Sequence, residues 1–390
     1  MLHYDFILFE NYHLATHHKY DVLLIAKLLR HAGLKVALLD IYHEDKGNDK
    51  DGVPIIHIAT KRNIPNDRWQ KHPKNKLHSL FCSIRFLCQQ HIYMNYVIKE
   101  IEPLADSFYC GSYHLNMPLA FLKCKKACYW WGLRSSRMTN FWYHFKNNPV
   151  LGFRMLMLRH YFKKNRLQRL FVSNEIIKHE FEKLGISSDR MVIREERCIT
   201  ELGHSDYEKL SHCLSFLTIG MLRPDKQIGY TVNEFRQCKM AEWKYVLAGR
   251  AQGEYEKDIE RSINGISNIE RINEYMDYNK FNALIKKAHF VVLADKKQKS
   301  SITNGTMLEA LINYRPIIAP DYDPYKFYID KYGIGITFNP EIPHDLTNAM
   351  QKASIRGCKD FYENIKNFLA TIQFDFVSGH LYRQIYGEER

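Results

Sequence analysis

Short apolar runs alternate with longer stretches of helical periodicity along the whole chain. In the first half "DFILFE" (5–10) reads as a strand, "KYDVLLIAKLLRHAG" (19–33) as a helix closed by glycine, and "LKVALLDIY" (34–42) as the next strand. "VPIIHIAT" (53–60), a helical tract within 74–101, "SFYCG" (107–111), "KACYWWG" (126–132) and "RLFVSN" (169–174) continue the alternation. The pattern then restarts after a polar stretch, 198–214, which reads as a linker. "SFLTIG" (215–220), "KYVLAGR" (244–250), "IERINEY" (269–275), "HFVVLAD" (289–295), "RPIIAP" (315–320) and "GITFN" (335–339) are the strand candidates of the second half. Apolar strands separated by helices imply parallel sheets covered on both faces.

The expected fold is therefore α/β, with two Rossmann-like doubly wound parallel-sheet domains facing across a cleft. The predicted partition is 1–200, 201–360, and C-terminal helices over 361–390 that could return to the first domain. Ligands of such sheets bind outside the carboxyl ends of the strands, which directs attention to the loops there.

Composition narrows the class. With 390 residues, 45% hydrophobic and 25% charged, the chain is an ordinary globular one long enough for two cores. No apolar run approaches the roughly 20 residues that span a bilayer, and the acids near the N-terminus argue against a signal peptide. Nine cysteines, with no Cys-x-x-Cys pair, argue against a disulfide framework or a zinc site and fit a reducing cytoplasm. Charge adds an asymmetry: residues 1–200 hold 31 Lys and Arg against 18 Asp and Glu, while 201–390 hold 25 of each. A basic first half favours a phosphate-rich partner such as nucleic acid, anionic lipid or a lipid pyrophosphate.

The candidate chemistry lies in the second half. In "FLTIGMLRPDKQIGYTVNEF" (216–235) a strand ends at Gly220, and a loop carries Arg223 and Lys226 into a helix. Glycine lets a ligand approach the backbone and the cations offer charge-assisted hydrogen bonds, so the loop suits an anion; a solvated turn accounts for it equally well. In "SSITNGTMLEALINYRPIIAP" (300–320) a helix opens at Asn304, Gly305 and Thr306, where amide groups and the helix dipole favour an anion. Glu309 stands one turn further along. As an acceptor of hydroxyl hydrogens it suits a ribose; an ion pair with Arg315 or Lys299 is the structural alternative. Together the two segments fit a nucleotide diphosphate.

These segments resemble the donor-binding domain of GT-B glycosyltransferases of family 4, the retaining group. "IGMLRPDKQI" is similar to the family's strand, glycine and Arg/Lys diphosphate motif, "KYVLAGR" to the next strand, and "NGTMLEALINYRPIIAP" to the segment ending in Pro-Val-Ile-Ala. The resemblance covers about a third of the chain closely and implies that Gly220, Arg223, Lys226, Asn304, Gly305, Thr306 and Glu309 bind the donor, with Arg223 and Lys226 stabilising the leaving diphosphate. It implies a nucleotide-sugar donor, a glycan or lipid-linked acceptor, retention of anomeric configuration, and a place in surface polysaccharide synthesis. No metal and no cofactor is expected, since the nucleotide sugar is a substrate. The chain departs from the family in two places. Ser301 stands where an earlier glutamate normally orients the sugar, leaving that contact to backbone around Thr303–Gly305, and Gly132 and Leu133 stand where a first-domain histidine is usual. His114 is the nearest substitute as a catalytic residue, with His13, His17 and His18 behind it.

Two further features bear on the setting. "VLGFRMLMLRHYFKKNRLQRL" (150–170), if helical, gathers Phe153, Met157, Leu158, Tyr161 and Phe162 opposite Arg159, Lys163 and Arg166. That suits an anionic membrane surface or a helix with a solvated basic back. Asp321 and Asp323 match a short Asp-x-Asp metal signature, but a proline-flanked turn explains them better. The expectation is thus a cytoplasmic glycosyltransferase, peripheral on the inner face of the cell membrane in one version. A degenerate, non-catalytic homologue that binds a glycan or scaffolds a complex is the alternative. Nucleic acid is not an expected partner, because no binding module accompanies the charge.

Overall fold

The computed structural model describes residues 2–10, 16–40, 49–57, 85, 88–89, 92–93, 95–110, 124–131, 156, 159–160, 162–194, 197–203, 205–240, 242–297 and 304–387. It divides into two compact units, Met1–Glu195 with Val377–Arg390, and Glu196–Phe376.

The first unit holds β1 (Tyr4–Glu10), α1 (Thr16–His31), β2 (Val36–Asp40), β3 (Asp49–Lys50), β4 (Val53–His57), β5 (Ala105–Cys110), β6 (Ala127–Trp131), β7 (Gln168–Val172), α2 (Glu175–Lys183) and β8 (Met191–Ile193). These strands form one sheet in the order β3-β4-β2-β1-β5-β6-β7-β8. All pairings are parallel except the short β3–β4 hairpin. The alternation of the sequence predicted the long strands; β3 and β8, of two and three residues, carried too little pattern to be read. Phe6, Tyr129 and Phe171 stack through the middle of this sheet. The end of the chain also belongs here: Ser378 Oγ donates to the Leu28 carbonyl at 2.9 Å, and the Gln384 amide exchanges hydrogen bonds with the Ile193 backbone.

The second unit holds β9 (Ser215–Ile219), α3 (Ile228–Gln237), β10 (Lys244–Ala248), α4 (Tyr255–Ile263), β11 (Ile269–Ile272), α5 (Tyr278–Lys287), β12 (Phe290–Val292), α6 (Gly305–Ile312), β13 (Ile317–Pro320), α7 (Tyr325–Tyr332), β14 (Gly335–Phe338), α8 (Asp345–Arg356) and α9 (Tyr362–Thr371). The last helix, α10 (Phe374–Tyr386), starts in this unit and ends in the first. The six strands are all parallel, in the order β11-β10-β9-β12-β13-β14. This is the doubly wound order in which the chain reverses direction beside its first strand, so the switch point lies between β9 and β12. Every residue of β9 is buried, as a central parallel strand requires. Phe216 sits at its middle, in register with Tyr245 and Phe290 and packed on Phe235, Trp243 and Phe290.

Stretch 198–214 is packed on the second unit and is no free linker. Tyr207 is buried in that core and donates its hydroxyl to the Tyr314 carbonyl at 2.5 Å. Of the segment 150–170, residues 156, 159–160 and 162–164 are helical as expected, and only its end differs, since 168–170 belong to β7; Phe162 lies in the first unit's core, as in a helix that covers it. Most of the apolar arc proposed for that segment, Phe153, Met157, Leu158 and Tyr161, lies outside the described residues. Among the described residues no helix is long and apolar enough to cross a membrane.

Candidate functional site

The carboxyl end of β9 and the segment after β12 meet at the switch point of the second unit. Gly220 follows β9 with φ at +109°, a conformation that L side chains rarely adopt. A Cβ placed there would stand 3.4 Å from Lys226 Nζ and 3.7 Å from Thr306 Oγ1. The strand tip, the loop cation and the first turn of α6 therefore converge on one small region, where the backbone conformation favours glycine. Gly249, at the end of β10 with φ at +123°, is under a tighter constraint: its Cβ would fall 1.9 Å from the Gly220 carbonyl oxygen. The Ala-Gly ending of "KYVLAGR" is thus what lets the two loops lie side by side.

Lys226 closes a 3-10 turn, Pro224–Lys226, and is only 9% exposed. Its ammonium donates to the Ile219 carbonyl at 3.1 Å. Burial pulls its proton affinity below the ordinary lysine value, while the negative charge of Asp295 works against that loss. Leu222 bonds across to Arg250 and Gln252, Gln227 donates to the Ala294 carbonyl, and the Lys296 amide donates to the Asp225 carbonyl, so the loop is fixed to β10 on one side and to the end of β12 on the other. Arg223 is more exposed and its fork is engaged: Nε and Nη2 reach the two Asp225 carboxylate oxygens at 3.1 and 3.0 Å. A phosphate taken by Arg223 must compete with that carboxylate.

Asn304 is the N-cap of α6, and here the geometry differs from the expectation of open amides. Its Oδ1 accepts from the amides of Thr306 at 2.8 Å and Met307 at 3.3 Å, so both are already used. Its Nδ2 donates to Asp295 Oδ2 at 2.7 Å and to the Tyr325 hydroxyl at 2.8 Å. Tyr325 in turn donates to the same Asp295 oxygen, and the Tyr322 hydroxyl donates to the Asp295 carbonyl. Among the side chains of α6, the Thr306 hydroxyl is the polar group that lies near Gly220. Asp295 holds the cap of α6 and compensates Lys226 at the same time.

Glu309 is 6% exposed among Met307, Leu308, Ala310 and Leu311. Its Oε1 forms an ion pair with Arg197 Nη2 at 3.2 Å, whereas among the described residues its Oε2 is buried without a hydrogen-bond partner. Burial raises its proton affinity above the usual carboxylate value and Arg197 opposes the rise. Arg315 is not its partner, since that guanidinium bonds the carbonyls of Asn313, Tyr314 and Lys286; Lys299 lies outside the described residues.

The structure thus brings together Gly220, Lys226 and Thr306, sets Arg223 beside them in a pair with Asp225, makes Asn304 a cap, and places Gly305 and Glu309 one turn apart on α6. His114, His13, Ser301, Thr303, Gly132 and Leu133 lie outside the described residues; His17 and His18 fall in the first turn of α1. Asp321 follows β13 and its amide donates to the Phe338 carbonyl, with Asp323 just before the start of α7. Sequence reasoning missed Asp295 and Arg197. An acid closing the apolar run "HFVVLAD" could have flagged the first; nothing local marks the second.

No family model matches the chain, and no curated protein matches it either. Solved structures do. A glycosyltransferase from Rickettsia africae superposes with a TM-score of 0.65 at 14% identity, covering 98% of this chain and 99% of that one. HepE of Anabaena in complex with UDP gives 0.62 at 10% identity, over 98% and 99%. The lipopolysaccharide outer core galactosyltransferase WaaB gives 0.62 at 13% identity, over 98% of each chain. At these identities the likeness concerns architecture: the chain has the two-domain, parallel-sheet fold of the GT-B class.

Proposed function

We propose that this protein is a glycosyltransferase that takes a sugar from a nucleotide diphosphate donor, with uridine as the base to test first. The observation that carries the reading is the convergence of a buried ammonium and a hydroxyl on Gly220 at the switch point of the second unit. A buried cation is costly unless something negative meets it, and a diphosphate supplies that charge where the sheet leaves room. The unpartnered Oε2 of Glu309 supports the second half of the reading, as a buried carboxylate oxygen in want of a donor is what a ribose hydroxyl satisfies. Proteins of the same fold agree in kind: HepE has been seen with UDP and with UDP-glucose, and WaaG takes part in lipopolysaccharide biosynthesis.

In this reaction the bond from the anomeric carbon to the diphosphate oxygen breaks, the acceptor oxygen bonds to that carbon, and the acceptor's proton departs. Negative charge grows on the diphosphate. Lys226 and the Thr306 hydroxyl are aimed at that charge, and Arg223 joins them by exchanging Asp225 for phosphate. We take the acceptor to be a glycan or a lipid-linked glycan, the outcome to be retention, and the setting to be surface polysaccharide synthesis at the inner face of the membrane. His114 is kept as the first-unit residue to test for a catalytic role.

The test is binding and turnover with UDP-glucose, UDP-galactose and their N-acetylated forms. Saturable binding of UDP that Lys226→Ala removes, with sugar transfer or slow donor hydrolysis in the parent, is the expected result. UDP binding unaffected by Lys226→Ala overturns the reading. Binding without any turnover favours the non-catalytic alternative, for which the serine at 301 and the missing first-domain histidine at 132–133 are the motives.

A further inference from the structure

Arg197 has no role in the site as read from sequence, yet it makes the one charged contact to Glu309 among the described residues. It lies at the start of the second unit, far from Glu309 in sequence, and its side chain is 55% exposed while that of Glu309 is 8% exposed. An exposed cation reaching in to a buried acid is unusual for a bridge whose task is stability, since such pairs contribute little to folding. The arrangement also divides the carboxylate: one oxygen is paired with Arg197 and the other, among the described residues, is left without a donor.

We infer that Arg197 is a positioning residue for donor recognition, pinning Glu309 through Oε1 so that Oε2 stays an ionised acceptor for a hydroxyl of the donor's ribose. The inference rests on the nucleotide-diphosphate reading of the site. Two physical consequences follow. A carboxylate held by one oxygen has its orientation set before the ligand arrives, which lowers the entropy lost on binding. A carboxyl in that apolar helix face without a nearby cation would bind a proton more readily, and a protonated Oε2 is a weaker acceptor for a hydroxyl. The other charged groups on elements packed around α6 are engaged elsewhere. Arg315 bonds backbone carbonyls, Lys280 pairs with Glu274 and Lys366 with Glu363. Lys286 and Lys287 of α5 do not bear on the carboxyl, and Glu201 on the Arg197 segment is exposed.

The experiment compares UDP with 2′,3′-dideoxyuridine diphosphate, which keeps the base and both phosphates and lacks the hydroxyls. Calorimetric affinities are measured for the full chain and for Arg197→Met, Arg197→Lys and Glu309→Gln across pH 5 to 9. Arg197→Met is expected to weaken UDP about tenfold and to leave the dideoxy nucleotide unchanged, as the loss of one charge-assisted hydrogen bond would. Arg197→Lys should restore part of the loss. In Arg197→Met the fall of UDP affinity on acidification should begin at a higher pH than in the parent, because the cation that opposes protonation is gone. Equal weakening of both nucleotides, or an unchanged preference for UDP, overturns the role of Arg197. The failures separate cleanly: a parent protein that binds neither nucleotide overturns the reading of the site, and one that binds both equally removes Glu309 from ribose recognition. A parent that prefers UDP, with Glu309→Gln abolishing the preference and Arg197→Met retaining it, overturns this inference alone.

Discussion

Two buried charges stand six positions apart at the end of α6, and the fold treats them differently. Arg315 is fully buried, and its two terminal nitrogens are spent on the carbonyls of Asn313, Tyr314 and Lys286 while its guanidinium lies 5.0 Å from the centre of the Tyr207 ring. Lys286 is in the last turn of α5, so Arg315 sits where that helix concentrates partial negative charge. Glu309 is nearly as buried, but it is met by one exposed arginine and keeps an oxygen idle. Both side chains leave one buried polar atom without a partner among the described residues, Arg315 Nε and Glu309 Oε2, but the guanidinium meets three backbone carbonyls while the carboxylate meets a single exposed arginine. On the proposed reading the oxygen left over at Glu309 is the one that serves a ligand.

Lys226 extends the comparison to the loop after β9, and its removal should give the largest effect. It has one carbonyl partner and a compensating acid in Asp295, as a cation held in reserve for an anion would. Lys226→Ala is expected to lower turnover with a UDP-sugar by about a hundredfold to a thousandfold, the usual loss when one preorganised charge donor is removed. Its stability should rise slightly. A lysine whose proton affinity is lowered by folding costs stability wherever it is charged in both states, and that cost disappears with the side chain. Urea unfolding at neutral pH measures this. A variant that unfolds earlier and turns over normally would put Lys226 in the class of Arg315.

Arg315→Met breaks the comparison from the other side. Truncation removes the arginine donor from the carbonyls of Asn313 and Lys286, while Tyr314 keeps the Tyr207 hydroxyl, and orphaned buried acceptors cost about 1–3 kcal/mol each where water cannot reach them. With partial relaxation the expected loss is about 3 kcal/mol of unfolding free energy. UDP affinity in the fraction that remains folded should be unchanged within about twofold. A selective loss of nucleotide binding with full stability would mean that Arg315, which the sequence offered as a partner for Glu309, acts on the ligand after all.

How far the sequence discloses this depends on the range of each signal. Both long sheets were legible because strands such as "SFLTIG" and "HFVVLAD" are continuous apolar runs between helices, and the run lengths alone separate the two periods. Gly220, Lys226 and Thr306 could be named because they sit in loops whose position, just past a strand, is set by the alternation itself. The pairing of their atoms could not, since it depends on where α6 starts and on Asn304 turning its side chain to cap Thr306 and Met307. Arg197 was out of reach for the same reason: its link to Glu309 joins distant parts of the chain and leaves no mark in local pattern. Arg315 was misassigned because sequence proximity on a helix end suggests an ion pair, while the tight turn after α6 carries that side chain toward α5. Tyr314, with φ at +57°, makes that turn.

Glu309→Gln gives the smallest effect and the sharpest test of the contrast. Glutamine keeps the shape and an acceptor oxygen and loses the charge, so UDP affinity should fall about fivefold to tenfold at neutral pH, in line with the loss of a charge-assisted hydrogen bond. Stability should move the other way, with a sign fixed by linkage. Burial raises the proton affinity of this carboxyl in the folded state, so the folded protein binds its proton more tightly than the unfolded chain does. That contribution is fully present below the ordinary glutamate range and is lost as pH rises through the raised value. Above that window the parent carries an ionised acid in an apolar helix face, and the variant does not. The difference in unfolding free energy, variant minus parent, should therefore increase as pH climbs out of the glutamate range and then level off. A saturating UDP concentration should reduce the difference, because the ligand's hydroxyl then satisfies the parent's idle oxygen. If the difference is flat with pH, or if UDP leaves it unaltered, Glu309 is as internally settled as Arg315 and the distinction between the two charges fails.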